Sequence, residues 1–135
     1  MLLQVARLRN KVSDMLDRKI EDNSIVFSNG SDVVLVIEEE ETENGLTMTL
    51  RGELRSGVAH ELLDELTALA TVGVNVVVDF AEVTYITSTI LDVFLSVQQL
   101  MDSMRKGELV LRRMTDEIYR EFEKTGTSEL LIIEN

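Results

Sequence analysis

The stretch Asn75-Val-Val-Val-Asp-Phe-Ala-Glu-Val-Thr-Tyr-Ile-Thr-Ser-Thr-Ile-Leu-Asp-Val-Phe-Leu95 decides how this chain is read. It predicts a buried strand over Val74 to Phe80, a tight turn, and three hydroxyl residues opening an apolar-striped helix. A strand so uniformly apolar suits a parallel sheet covered on both faces. The loop after it then emerges at the rim where such sheets bind ligands and partners. Thr87, Ser88 and Thr89 fall at the predicted helix N-terminus, which makes this junction the candidate functional site.

Downstream of the junction, Ile90, Phe94, Val97, Met101 and Met104 recur at helical spacing to about Arg105, and Gly107 ends the helix. Glu108 to Met114 reads as a strand, Thr115-Asp116-Glu117 opens another helix carrying Ile118 and Phe122, Gly126 stops it, and Glu129 to Ile133 closes the chain as a strand. Upstream, Ser56 and Gly57 precede an amphipathic helix with Ala59, Leu62, Leu63, Leu66 and Leu69 on one face, ending near Gly73. Before that, Val33 to Glu41 and the alternating Leu46, Met48 and Leu50 form two strands around Asn44-Gly45, the dipeptide of a tight hairpin. An antiparallel hairpin followed by alternating helices and strands is an α/β domain with a mixed central sheet.

Residues Met1 to about Ile20 place Met1, Val5, Leu8, Val12 and Met15 at alternating spacings of four and three, which predicts a helix with a narrow apolar seam. Two heptads do not hold a coiled coil alone, so the seam docks on the body, pairs with a second chain, or frays. Turn-rich residues flank the short Ile25-Val26-Phe27. The expected organisation is therefore an N-terminal helix and linker over residues 1–31 and one domain over 32–135.

The 135 residues, 44% of them hydrophobic, suffice for one proper core. No run approaches the roughly 18 apolar residues of a membrane span, and Arg7 and Arg9 interrupt the N-terminal apolar pattern, so a cytoplasmic protein is expected. Net charge is −12; residues 1–22 carry five Lys/Arg against four Asp/Glu, and the remainder carries eight against twenty-one. An acidic body of this kind repels phosphate backbones and anionic lipid and favours a partner with a basic docking face.

Enzymatic constellations are sparse: there is no cysteine, no glycine-rich phosphate loop and no Gly-x-Ser-x-Gly elbow. No catalytic residue, metal ligand or cofactor is expected. His60-Glu-Leu-Leu-Asp64 lacks the second histidine of a zinc helix, and Glu38 to Glu41, on a strand, point alternately to opposite faces and do not converge on a cation. Asp79 and Glu82, near the loop, do not stand out as an acid and base in so acidic a chain. At the junction, Thr89 with Asp92 three residues on approximates a capping box, the plain structural reading of the hydroxyls. The functional reading is that a phosphoryl group on one of them meets free N–H donors and the positive end of the helix dipole. A docked partner meets about two new negative charges instead.

Leu46-Thr-Met-Thr-Leu-Arg-Gly-Glu-Leu54 resembles the opening strand of STAS domains, the family of anti-sigma factor antagonists and of the cytoplasmic domains of sulfate-transporter-like proteins. Val76 to Leu91 is similar to that family's strand and its Asp-Ser-Ser-Gly-Leu loop, and Gly107 to Leu111 with Thr125-Gly126 matches its closing order. The resemblance covers about residues 33 to 135. It implies a non-enzymatic, partner-switching module that binds a GHKL-type kinase acting also as an anti-sigma factor and is released by phosphorylation of a loop serine. By position that serine is Ser88, with Thr87 and Thr89 as alternative acceptors, and the implied partner surface is Thr84, Tyr85, Thr87, Ser88, Thr89, Ile90, Leu91 and Phe94. Thr87 replaces the family's aspartate, and Ile90 replaces its glycine, which predicts a stiffer rim presenting Ile90 as an apolar contact. The alternatives are a constitutive STAS scaffold or transport-complex subunit without phosphorylation, and a small-ligand sensor.

Overall fold

Among the described residues, seven strands form one sheet whose order across the sheet equals their order along the chain. They are β1 (Asp17–Glu21), β2 (Ser24–Asn29), β3 (Asp32–Thr42), β4 (Gly45–Leu54), β5 (Asn75–Ile86), β6 (Leu109–Arg112) and β7 (Ile132–Glu134). The structure, a computed structural model, describes residues 16–135. Strands β1 to β4 make an antiparallel meander, and β4 to β7 run parallel. Parallel neighbours need crossovers, supplied by α1 (Ala59–Val72), α2 (Ser88–Met104) and α3 (Asp116–Lys124).

Right-handed crossovers that all step the same way across a sheet lay their helices on one face. Contacts agree: Phe80 of β5 meets Phe94 of α2 at a centroid distance of 5.4 Å and Phe122 of α3 at 6.1 Å. On the same face, Arg18 of β1 reaches Glu65 of α1. The expected cover on both faces is therefore corrected among the described residues. Opposite the helices, Val26, Val36, Thr47, Thr49 and Val77 stay half-buried, and Arg51 bridges Glu38 and Glu82 across three strands.

Local chemistry places most boundaries where the sequence predicts them. Glu43 and Asn44 turn the β3–β4 hairpin, with Thr42 paired to Gly45. Gly73 closes α1 in the left-handed region, its N–H donating to the carbonyls of Leu69 and Ala70. Thr115 caps α3 by accepting from the N–H of Ile118 at 3.2 Å, and Asp116 and Glu117 complement the helix dipole.

Two expectations need correction. Strand β5 does not end at Phe80 but continues to Ile86. The helix expected from Met1 to about Ile20 does not extend over Asp17–Glu21, which is β1, and Ile25-Val26-Phe27 is the middle of β2 rather than linker. In β1, Arg18 and Ile20 share the helix-covered face with Ile25 and Phe27. Arg18 is tolerated there because its Nε donates to Glu65 at 2.7 Å, with both side chains fully buried. A charged residue at an inward position hides the period of two. The remainder of the predicted helix, residues 1–15, lies outside the described residues.

Breaking the Arg18–Glu65 pair from one side with Glu65→Ala is expected to cost about 3–5 kcal/mol, because a buried guanidinium loses its partner. The double variant Arg18→Met/Glu65→Leu is expected to lose much less; equal losses in denaturant unfolding would reject the pair as the reason β1 joins the sheet. A second expectation concerns Gly107, at φ +76°, where an added Cβ would run into the backbone carbonyl of Val74. Gly30 has a similar φ of +67° but open space around it. Gly107→Ala should destabilise by about 2–4 kcal/mol and Gly30→Ala by about 1–2, the difference in chemical denaturation reporting the close approach.

Candidate functional site

Strand β5 twice uses one more residue than its parallel neighbour β4: Thr49 and Arg51 pair with Asp79 and Glu82, then Gly52 and Glu53 with Val83 and Tyr85. These shifts change the inward spacing from two to three. Phe80, Val83 and Ile86 are all buried, while Glu82, Thr84 and Tyr85 face solvent. The first shift is braced by Asp79, which is 1% exposed and accepts from the N–H of Ala81 at 2.9 Å. The same carboxylate accepts from Arg112 at 3.2 Å and Arg113 at 2.8 Å. Burial pushes the Asp79 carboxyl up, but these hydrogen bonds and the nearby Arg113 charge outweigh it and hold the group below the usual carboxylate range. Asp79 thus ties β5 to the end of β6.

At the far end of β5, the N–H of Thr87 donates to the carbonyl of Leu54 at 3.1 Å, so the ends of β4 and β5 lie side by side. Thr87 is the extended N-cap of α2, yet its side chain makes no cap hydrogen bond. Thr89 is two residues inside that cap rather than at it, which corrects the Thr89–Asp92 capping box. Its Oγ1 instead accepts from Ser56 Oγ at 3.1 Å, which joins the β4–α1 loop to the start of α2. The amides of Ser88 and Thr89 open the helix with no side-chain cap.

The structure divides the sequence-predicted partner residues into two groups. Thr84, Tyr85, Ser88 and Thr89 are exposed and Thr87 is half-buried. Ile90, Leu91 and Phe94 are 0%, 3% and 0% exposed and belong to the core. Their expected role as contacts, including the apolar Ile90 surface, is corrected. The phase of α2 that brings Phe94 onto Phe80 also turns Ile90, one helical turn earlier, toward the sheet.

Three rim residues were not expected from the sequence. Register places Glu53 opposite Tyr85, and Arg55 lies over the Tyr85 ring with its guanidinium carbon 4.4 Å from the centroid. Arg55 also donates to both carboxylate oxygens of Glu53, at 3.0 and 3.4 Å. This hydrogen bonding and the arginine charge hold Glu53 below its ordinary range, and Glu53 in turn raises Arg55. Ser56 follows with its bond to Thr89. Beside them a groove of about 650 Å³ is lined by Val33, Val34, Leu35, Gly52, Arg55 and Val58.

Elsewhere, His60 is exposed and pairs with Asp64 at 3.2 Å, and among the described residues no acidic or histidine cluster is arranged to hold a metal. Glu38 and Glu40 lie on one face of β3 and the buried Glu39 on the other. No helix among the described residues is long and apolar enough to cross a membrane.

A family model described as "Mlab, STAS domain" matches residues 37–133. An anti-sigma-B factor antagonist of Listeria monocytogenes serovar 1/2a is 30% identical over 104 residues, which span 76% of this chain and 90% of the relative. Among solved structures, an anti-sigma factor antagonist from Mycobacterium paratuberculosis superposes with a TM-score of 0.61 at 16% identity, over 73% of this chain and 84% of that one. The Bacillus protein SpoIIAA superposes in its unphosphorylated form with a TM-score of 0.59 at 12% identity (73% and 87% covered). Its phosphorylated form gives 0.57 at 13% identity (73% and 91% covered). With the mixed sheet, its three crossover helices and the strand-to-helix rim already in place, the matched length makes the chain a member of the STAS domain family.

Proposed function

We propose that this protein is a cytoplasmic, non-enzymatic regulatory module of the anti-sigma factor antagonist type, which exchanges protein partners when a rim hydroxyl is phosphorylated. The observation that carries this reading is the start of α2, where Ser88 stands exposed on an uncapped helix end beside Tyr85 and the Ser56–Thr89 bond. Ser88 is the preferred acceptor on geometry. Thr89 already shares its hydroxyl with Ser56, and Thr87 Oγ1 is buried without a hydrogen-bond partner among the described residues. A GHKL-type kinase that doubles as an anti-sigma factor would transfer the γ-phosphoryl of ATP to Ser88 Oγ, with the hydroxyl proton leaving to a base on the kinase.

The partner surface in this reading is Thr84, Tyr85, Thr87, Ser88 and Thr89, extended by Glu53, Arg55 and Ser56. A phosphoryl group at its centre adds about two negative charges while leaving the buried face of α2 untouched, so binding changes and folding does not. Ser88→Asp is expected to weaken binding of the cognate kinase by about tenfold or more in calorimetry, with cooperative unfolding preserved; Ser88→Ala should bind like wild type. Equal affinity of all three forms would exclude the switch.

The seam of Met1, Val5, Leu8, Val12 and Met15 supports a further part of this reading, pairing with a second chain. Because β1 is part of the sheet, the informative truncation removes residues 1–15 only. Light scattering is expected to give a dimer mass for the full chain and a monomer mass for the truncated one. A full chain of monomer mass disposes of the pairing.

A further inference from the structure

Arg55 and Glu53 form a closed pair in the unmodified protein, and the guanidinium is kept at the rim by the Tyr85 ring beneath it. Both residues are well exposed, with side chains 58% and 53% accessible, so the pair rests on the surface and is weak by nature. Tyr85 precedes Ser88 by three residues, and Ser56, the next residue after Arg55, is bonded to Thr89. Arg55 thus lies between a tyrosine three residues before Ser88 and a serine bonded to Thr89 at the start of α2. Arg51, on the sheet face, is engaged with Glu38 and Glu82, and Arg112 and Arg113 are held by Asp79 away from this end of β5.

We propose that Arg55 is the intramolecular receiver of a phosphoryl group on Ser88, leaving Glu53 to pair with the phosphate when the serine is modified. The inference rests on the phosphorylation reading above and specifies how the rim responds. A carboxylate offers Arg55 two oxygens and one charge; a phosphate monoester offers three acceptor oxygens and nearly two charges. A guanidinium held on an exposed pair exchanges to the stronger acceptor with little loss. The exchange releases Glu53, so negative charge appears at two places on the rim, and it takes the cation away from the Tyr85 ring. A partner that had docked on the neutral Glu53–Arg55 pair and its tyrosine then meets a different surface over a wider area than one serine covers.

The test is ³¹P NMR titration of full-length protein carrying genetically encoded phosphoserine at position 88, with and without Arg55→Ala. The phosphate is expected to pass from dianion to monoanion at about pH 5–5.5 rather than the roughly 6 of a free phosphoserine, and to return to about 6 in Arg55→Ala. Tyr85 ring resonances should move on phosphorylation only when Arg55 is present. A value of about 6 in both proteins, or an equal depression in both, overturns the proposal, the latter assigning the phosphate to the helix amides alone. Because the phosphate is installed during synthesis, neither result depends on whether cells modify Ser88. That is read separately by phosphopeptide mass spectrometry of protein from its native cells.

Discussion

The architecture of the rim depends on the register between β4 and β5. Without the two shifts, strict alternation beyond Phe80 would turn Glu82 and Thr84 toward the helices. With them, Val83 and Ile86 go inward, and Glu82 is free to bridge to Arg51 on the open face. The shifts also bring Tyr85 opposite Glu53 and deliver the N–H of Thr87 to Leu54, which fixes where α2 begins. Asp79 anchors the first shift, holding the amide of Ala81 with one oxygen and two arginines of the neighbouring chain segment with the other. A buried carboxylate with this many donors is ionised and satisfied, so it fixes geometry and offers no proton to chemistry.

The elements legible in the sequence are those whose cause is local. Gly73 and Thr115 specify a stop and a cap through their own backbone preferences, and the structure places each of them there; the Thr42–Gly45 hairpin also forms, turning on Glu43 and Asn44 with Gly45 already in β4. Where the cause is distant, the sequence misleads. An inward Arg18 makes sense only with Glu65, 47 residues away, so β1 read as part of a polar-faced helix. The spacing of three in Phe80, Val83 and Ile86 looks unlike any strand because it is imposed by β4 rather than by β5 itself.

The candidate site shows the same division. A hydroxyl cluster ahead of an apolar stripe marks a strand-to-helix junction, and the exposure of Ser88 and Thr89 follows from it. The stripe does not say which of its members reach solvent. Ile90, Leu91 and Phe94 sit beside the hydroxyls in sequence yet face the sheet, because the side chains within one helical turn point in different directions around its axis. The residues that do share the rim, Glu53, Arg55 and Ser56, are more than thirty positions upstream, and only the parallel pairing of β4 with β5 brings them in.

Electrostatics then gives the rim a character distinct from the rest of the molecule. The chain carries a net charge of −12, and at the start of α2 the hydroxyls and a tyrosine have beside them the closed Glu53–Arg55 pair and, one turn along from Ser88, the exposed Asp92. At physiological salt the field of the acidic body falls off over about 8 Å, so it would steer a basic partner toward the molecule without dictating the fit at contact. In the proposed function the fit at contact would be set by the rim, where a phosphoryl group on Ser88 would add about two negative charges beside the closed Glu53–Arg55 pair. In that reading attraction would come from the whole body and discrimination from the few residues that the β4–β5 register brings together.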